Sequence, residues 1–328
     1  MNSFKAMIVD KAEDQFTIET RLLNLEDLPA GELLIQVVYS SINYKDALAS
    51  IPNGNIVKQY PHIPGIDLAG IVVTSRDDRF QEGDEVLVTG FELGVGHFGG
   101  FSQYARIPSA WAVKLPRGLS LKEAMILGTA GFTAALSVHD LQENGVLPDK
   151  GPILVTGATG GVGSVSISIL AKLGYEVVAS SGKSDMKDYL LGLGAKRVIS
   201  REELVPEKQR SLDKQLWAGA VDCVGGKSLS YILSSTGYGG AVAVSGLTGG
   251  IELATTVLPF ILRGIRLIGI DSVFAPMEVR QAIWERLASE LKPPALESMY
   301  TEISLDEIPE AVTNLLHGQS RGRFLVKL

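Results

Sequence analysis

The chain has 328 residues, 45% of them hydrophobic and 20% charged, with 36 glycines and a net charge of −7. That length suits two ordinary domains, and the acidic balance argues against nucleic acid or a membrane surface as a partner, since both favour basic patches. Cys223 is the only cysteine, which excludes an internal disulfide and a thiolate metal cluster.

The opening "MNSFKAMIVD" carries no charged-then-apolar secretion pattern, so a reducing, cytoplasmic location is expected. The first 120 residues read as β-rich: "LLIQVVYSSI" (33–42), "GIDLAGIVV" (65–73), "DEVLVTG" (84–90) and "FGGFSQYARIP" (98–108) are separated by Gly, Pro and Asp turn signals. Short strands so closely spaced favour a barrel or sandwich. The pattern changes at Ser120, where a Ser cap with Glu123 three residues on opens the helical run "SLKEAMILGTAGFTAALSVHDL". Its least polar part, 124–138, is too short and too rich in Gly and Thr for a bilayer span.

Beyond it the chain alternates. Strands are predicted at 153–157, 176–180, 197–200, 220–224, 240–245 and 266–270, and the clearest helices at 164–174 and 186–194. Continuous apolar strands alternating with helices form a parallel sheet covered on both faces. The segment 304–319 reads as a capped helix and "GRFLVKL" as a final strand. The four histidines, His62, His97, His139 and His317, are scattered without ligand spacing and read as surface or packing residues.

The glycine cluster in "ILVTGATGGVG" (153–163) lies between a predicted strand and a predicted helix, where a dinucleotide fingerprint belongs. Its spacing falls on Ala158, Gly160 and Gly163. Gly160 and Gly161 let the backbone approach a pyrophosphate, Gly163 lets the helix pack on the strand, and the helix N-terminus attracts the phosphates. Thr159, Gly160, Gly161, Val162 and Gly163 are therefore candidate cofactor contacts. No Lys-Ser/Thr follows, which excludes a Walker A loop.

The second strand ends "VVASSGKSD", with no acid until Asp185 to bind a ribose 2′-hydroxyl. Ser180, Ser181 and Lys183 suit a 2′-phosphate instead, and Arg197 in "GAKRVIS" is a further candidate, so the expected cofactor is NADPH. Ligands of open α/β sheets bind at the C-terminal strand ends, which nominates Leu247 in "SGLTGG" (245–250) and Ser272 in "DSV" (271–273) as nicotinamide-side contacts. Cys223, inside "VDCVGG", reads as a small core residue.

Together, "NYKDALA" (43–49), "PGIDLAGIV" (64–72), "GTAGFTAA" (128–135), "ATGGVGSVS" (158–166) and "VDCVGG" (221–226) resemble the zinc-independent branch of the medium-chain dehydrogenase/reductase superfamily. With "SGK" (181–183) and the terminal "GRFLVKL", the chain is most similar to the acryloyl-CoA reductase and quinone oxidoreductase group, in particular its YhfP-type bacterial members. The resemblance implies an α/β protein: a GroES-like β-barrel catalytic domain (1–125 and 295–328), a six-stranded Rossmann NADPH-binding domain (126–294), and a cleft between them. Zinc-dependent relatives place ligands where this chain has Asn43, Gly65-Ile66-Asp67 and Ala130, so no metal is expected.

Without a metal to stabilise an alkoxide, the accessible chemistry is hydride addition to an activated carbon–carbon double bond followed by protonation. A small enoyl-CoA such as acryloyl-CoA fits; the alternatives are a quinone or enone reductase and a non-catalytic NADPH-binding protein. By resemblance Tyr44 faces the nicotinamide as a contact and candidate proton donor, and Arg323 matches an arginine that binds the pyrophosphate. Asn43, Lys45 and Asp46 read as structural, with Lys45 and Asp46 able to pair locally, and Asp67 as a turn or barrel-corner residue. The apolar strand "IRLIGID" (265–271) falls at the sheet edge, where apolar edges invite pairing; in the superfamily that edge joins two subunits, so a homodimer is expected.

Overall fold

Alternating buried and exposed residues in the N-terminal third produce antiparallel strands with one face inward. In this computed structural model, which describes residues 3–12 and 15–328, β1 (Ser3–Ala12) and β2 (Gln15–Asn24) form a hairpin. After them come β3 (Leu33–Ile42), a short helix α1 (Tyr44–Ala49), β4 (Asp67–Ser75), β5 (Glu85–Thr89), β6 (Tyr104–Ile107) and β7 (Val113–Lys114). The long helix α2 (Leu121–Glu143) follows. By length and composition it could cross a membrane, but most of its apolar surface is buried inside the protein.

The middle of the chain holds β8 (Ile153–Val155), α3 (Gly161–Lys172), β9 (Val177–Ser181), α4 (Lys187–Gly192), β10 (Arg197–Ser200), β11 (Trp217–Asp222), α5 (Gly226–Ser235), β12 (Thr236–Val244), α6 (Leu258–Arg263) and β13 (Arg266–Gly269). These strands form one parallel sheet in the order β10-β9-β8-β11-β12-β13, the doubly wound arrangement. Its inner strands are buried on both faces, as their apolar character requires: Leu154, Val178, Ala220 and Val242 are inaccessible. The chain ends with α7 (Met277–Leu287), β14 (Tyr300–Ser304), α8 (Ile308–Leu316) and β15 (Arg323–Lys327).

Two compact units result. One comprises Met1–Thr129, Val273–Ala288 and Leu296–Leu328; the other comprises Ala130–Ser272 and Ser289–Ala295. In the first, β15 pairs with β3 in register Phe324↔Ile42, so the C-terminal strand completes the sheet β14-β15-β3-β4-β5-β7. Leu33, Ile35, Leu68, Val86, Val88 and Ile107 fill its core.

The sequence placed 273–288 with the dinucleotide domain; it packs in the first unit instead. Arg280 on α7 explains the difference. Its side chain is fully buried and donates to the Thr89 carbonyl (2.8 Å) and hydroxyl (2.9 Å) and to the Val273 carbonyl (3.0 Å). Its guanidinium lies 4.5 Å from the Phe91 ring centre. An arginine on an amphipathic segment reads as a surface residue, so nothing local announces this anchor.

The predicted helix from Ser120 is broken inside. Gly128 has φ 53° and ψ −155°, a conformation reserved for glycine. A Cβ there would collide with the Asp67 carboxylate, the Ser41 hydroxyl and the Arg323 guanidinium. Gly128→Ala is therefore expected to cost about 3 kcal/mol in urea unfolding; a loss below about 1 kcal/mol would show that the break is not required.

Candidate active site

In the α/β unit, Ile153, Leu154 and Val155 are wholly buried, and the chain leaves β8 through Thr156 into the glycine turn. Gly157 adopts φ 56°, so the left-handed position falls one residue before the Ala158 indicated by spacing. A Cβ on Gly163 would overlap the Gly157 carbonyl, which places the first turn of α3 in direct contact with the strand exit. The first amides of a helix have no carbonyl ahead of them; here they belong to Gly161, Val162 and Gly163, beside the exposed Gly160 and the nearly buried Thr159.

Thr156 donates to the Asp222 carboxylate (2.6 Å), which also accepts the Gly225 amide (2.8 Å), locking the ends of β8 and β11 together. Burial raises the pKa of Asp222, opposed by the Thr156 hydroxyl and the amides of Gly225 and Val224. Cys223 lies beside Gly157 with its thiol pushed up to about 12, by burial first and Asp222 second, so it is not a nucleophile at neutral pH.

At the end of β9, Ser180 is buried and its carbonyl accepts the Ala158 amide (3.2 Å), while the Ser181 hydroxyl accepts the Lys183 amide (3.0 Å). Lys183 is half-buried and its pKa is lowered by desolvation. An open cavity of about 250 Å³ is lined here by Ser181, Lys183, Ser184, Lys187, Ser200 and Glu202. Leu247 and Ser272 follow the ends of β12 and β13, so they share the C-terminal edge of the sheet with the glycine turn.

Arg197 does not. It pairs with Val178, three residues before Ser181, and at about 3.3 Å per residue sits some 10 Å back along the sheet. The basic residue at the strand end is Arg201, which follows β10 directly and lays its guanidinium against Gly182, where any Cβ would overlap it. Its only sequence signal is its place immediately after the strand that neighbours β9.

The barrel unit holds the second group of expected residues. Tyr44 opens α1 and is 45% exposed, whereas Arg323 is 3% exposed and turned inward. The expected pyrophosphate contact is thus corrected: Arg323 donates to the carbonyls of Ile126 (3.1 Å) and Ile42 (3.1 Å), to Asn43 Oδ1 (3.0 Å) and to the Ser41 hydroxyl (2.8 Å). Asp67 is a hub rather than a turn residue. It accepts from Ser41 (2.7 Å), Asn43 Nδ2 (2.7 Å), the Thr129 amide (2.9 Å) and the Thr129 hydroxyl (2.5 Å), and lies 3.6 Å from the Arg323 guanidinium.

Asp46 is also buried, accepting the amides of Asn43 (2.7 Å) and Ile66 (2.8 Å), which replaces the expected local pair with Lys45. Burial and then the Asp67 carboxylate push it up to about 7 against those donors. His62 is held neutral, pushed down to about 4 chiefly by burial.

Zinc does not fit this donor set. Asn43 turns its amide nitrogen to Asp67, the Asp67 oxygens are saturated by four donors, and Ala130 offers no ligand.

A doubly wound sheet with a glycine turn at the exit of its first strand, on one chain with an antiparallel barrel unit, defines the two-domain dehydrogenase class. The chain matches the alcohol dehydrogenase GroES-like domain over residues 29–117 and the zinc-binding dehydrogenase family over residues 161–289. It is 56% identical to the protein of Bacillus subtilis named "Putative quinone oxidoreductase YhfP", over 99% of both chains. The crystal structure of that protein with NAD bound superposes with a TM-score of 0.98 over 100% of each chain. It is 47% identical to the acrylyl-CoA reductase AcuI of Ruegeria pomeroyi, over 98% of both chains. The yhdH oxidoreductase of Salmonella enterica in complex with NADP, 46% identical over 99% of both chains, gives a TM-score of 0.96.

The chain belongs to the medium-chain dehydrogenase/reductase superfamily, in the group that contains YhfP and AcuI, and is an oxidoreductase.

The strand register predicts that Arg201→Ala weakens NADPH binding by about tenfold and leaves NADH binding unchanged. Arg197→Ala should change neither by more than about twofold in calorimetric titration; the reverse ranking would contradict the placement.

Proposed function

We propose that the chain is a zinc-independent, NADPH-dependent reductase of an activated carbon–carbon double bond, acting on acryloyl-CoA or a similar small enoyl-CoA. The observation that carries this reading is the strand end at Ser180–Lys183, where hydroxyls, a half-buried lysine and Arg201 gather and the end of β9 itself carries no acidic residue. The barrel unit supports it independently. A site with no fitting metal donor set cannot stabilise an alkoxide through zinc, whereas an enoyl thioester delocalises charge into its own carbonyl. YhfP and AcuI, named for a quinone and an acyl-CoA substrate respectively, are both close in sequence, and both substrates accept hydride in this way.

NADPH, when bound, supplies a hydride to the β-carbon of the alkene. The chain's own part is to bind and to protonate. The free amides of Gly161, Val162 and Gly163 and the hydroxyls of Ser180 and Ser181 would hold the coenzyme's phosphates, and Leu247 and Ser272 would lie on its nicotinamide side. Tyr44 delivers a proton to the α-carbon as the enolate collapses to the saturated thioester, and its phenolate takes a proton back from solvent, to which the residue is 45% exposed.

Measured by NADPH consumption, acryloyl-CoA should be turned over at least about tenfold more efficiently than 1,4-benzoquinone. The opposite preference would assign the quinone or enone reaction instead.

The small-molecule reaction is proposed to run in a cytoplasmic homodimer built on the β13 edge. That strand ends the sheet, and Val257 (65% exposed), Ile261 (68%) and Leu262 (56%) stand beside it in sequence. Sedimentation should show a dimer, reduced to monomer by Ile261→Asp; a wild-type monomer would contradict the interface.

A further inference from the structure

We infer that Arg323 and Asp67 are positioning residues for proton delivery by Tyr44, acting through Asn43. The inference rests on the proton-donor reading of Tyr44.

Tyr44 is the first residue of a six-residue helix, too short to hold its own conformation in water. The residue is 45% exposed, so the direction its phenol takes depends on what fixes the start of α1. That start is fixed from inside. Asn43, the residue before Tyr44, gives its amide nitrogen to Asp67 (2.7 Å) and receives the Arg323 guanidinium on its amide oxygen (3.0 Å).

A guanidinium only donates, and an ionised carboxylate only accepts, so the two partners allow one orientation of the Asn43 amide and forbid the flip. The backbone on either side is held as well. The Ile42 carbonyl accepts from Arg323 (3.1 Å), the Asn43 amide donates to Asp46 (2.7 Å), and the Asn43 carbonyl accepts the Asp46 amide (3.0 Å). The Ile42–Asn43 peptide group is therefore held on both sides by buried charged side chains, and the carbonyl of the next peptide group is held by the Asp46 amide. Lysine at 323 would keep the charge but has one head group to serve positions that a fork now reaches at Asn43, Ser41, Ile42 and Ile126.

The test is a double-mutant cycle on kcat with acryloyl-CoA and NADPH, using Tyr44→Phe, Arg323→Lys and the pair. Tyr44→Phe should lower kcat by about 100-fold. Arg323→Lys should lower it by about 30-fold, while KM for NADPH moves by less than about twofold. The double variant should be no slower than Tyr44→Phe alone, because a misplaced donor and an absent one cost the same step. Asn43→Ala leaves the ion pair and cuts its link to the helix; it should repeat the Arg323→Lys pattern, and stands in for it if that variant does not fold.

An unchanged kcat in folded Arg323→Lys and Asn43→Ala, or losses that add in full to that of Tyr44→Phe, would overturn the inference. An unchanged kcat in Tyr44→Phe would remove the donor reading and the inference with it. A wild-type enzyme inert to acryloyl-CoA would instead defeat the substrate reading, and shows before any variant is made.

Discussion

The cofactor side of the molecule depends on the close contact between Gly163 and the Gly157 carbonyl. It seats the N-terminus of α3 against the exit of β8, so that free amides and the positive end of the helix meet at one point of the sheet. The strand ends proposed for the cofactor at Ser180–Lys183, Leu247 and Ser272 lie along the same edge. The Thr156–Asp222 bond holds the neighbouring strand end in step, and the Ser180 carbonyl ties the turn to β9. A side chain at Gly163 would separate helix from strand and remove the place proposed for a pyrophosphate.

The barrel unit solves a different problem. Two carboxylates and a guanidinium are buried together, and none would survive there alone, since an unpaired charge in an apolar interior costs several kcal/mol. The structure meets that cost with complete coordination. Asp67 has four hydrogen-bond donors besides its cation, Arg323 has four acceptors, and Asp46 is moved towards its neutral form. Gly128 is part of the same arrangement: its backbone passes so close to the network that the α2 helix must break to admit it. The residues that leave no room for zinc thus form a rigid polar floor beneath α1.

Much of the architecture was legible because it rests on periodicity. The parallel strands read as unbroken apolar runs, and their predicted positions fall on β8 to β13 with shifts of a few residues at the ends of β11 and β12. Position within a strand was harder to read. Arg197 and Arg201 both flank "VIS", and only the pairing of β10 with β9 shows which one reaches the end of the sheet. Arg280 and Arg323 were illegible for another reason. A buried arginine depends on acceptors far away in the chain, such as Thr89 for the one and Asn43 for the other, and local patterning carries no trace of them. The same holds for Asp67, whose donors come from β3, its following residue Asn43, and Thr129.

The most direct measurement is a calorimetric titration of the wild-type chain with NADPH and with NADH. One NADPH should bind per chain, at least about tenfold more tightly than NADH. Absence of NADPH uptake by the folded protein, or equal affinity for the two coenzymes, would contradict the account.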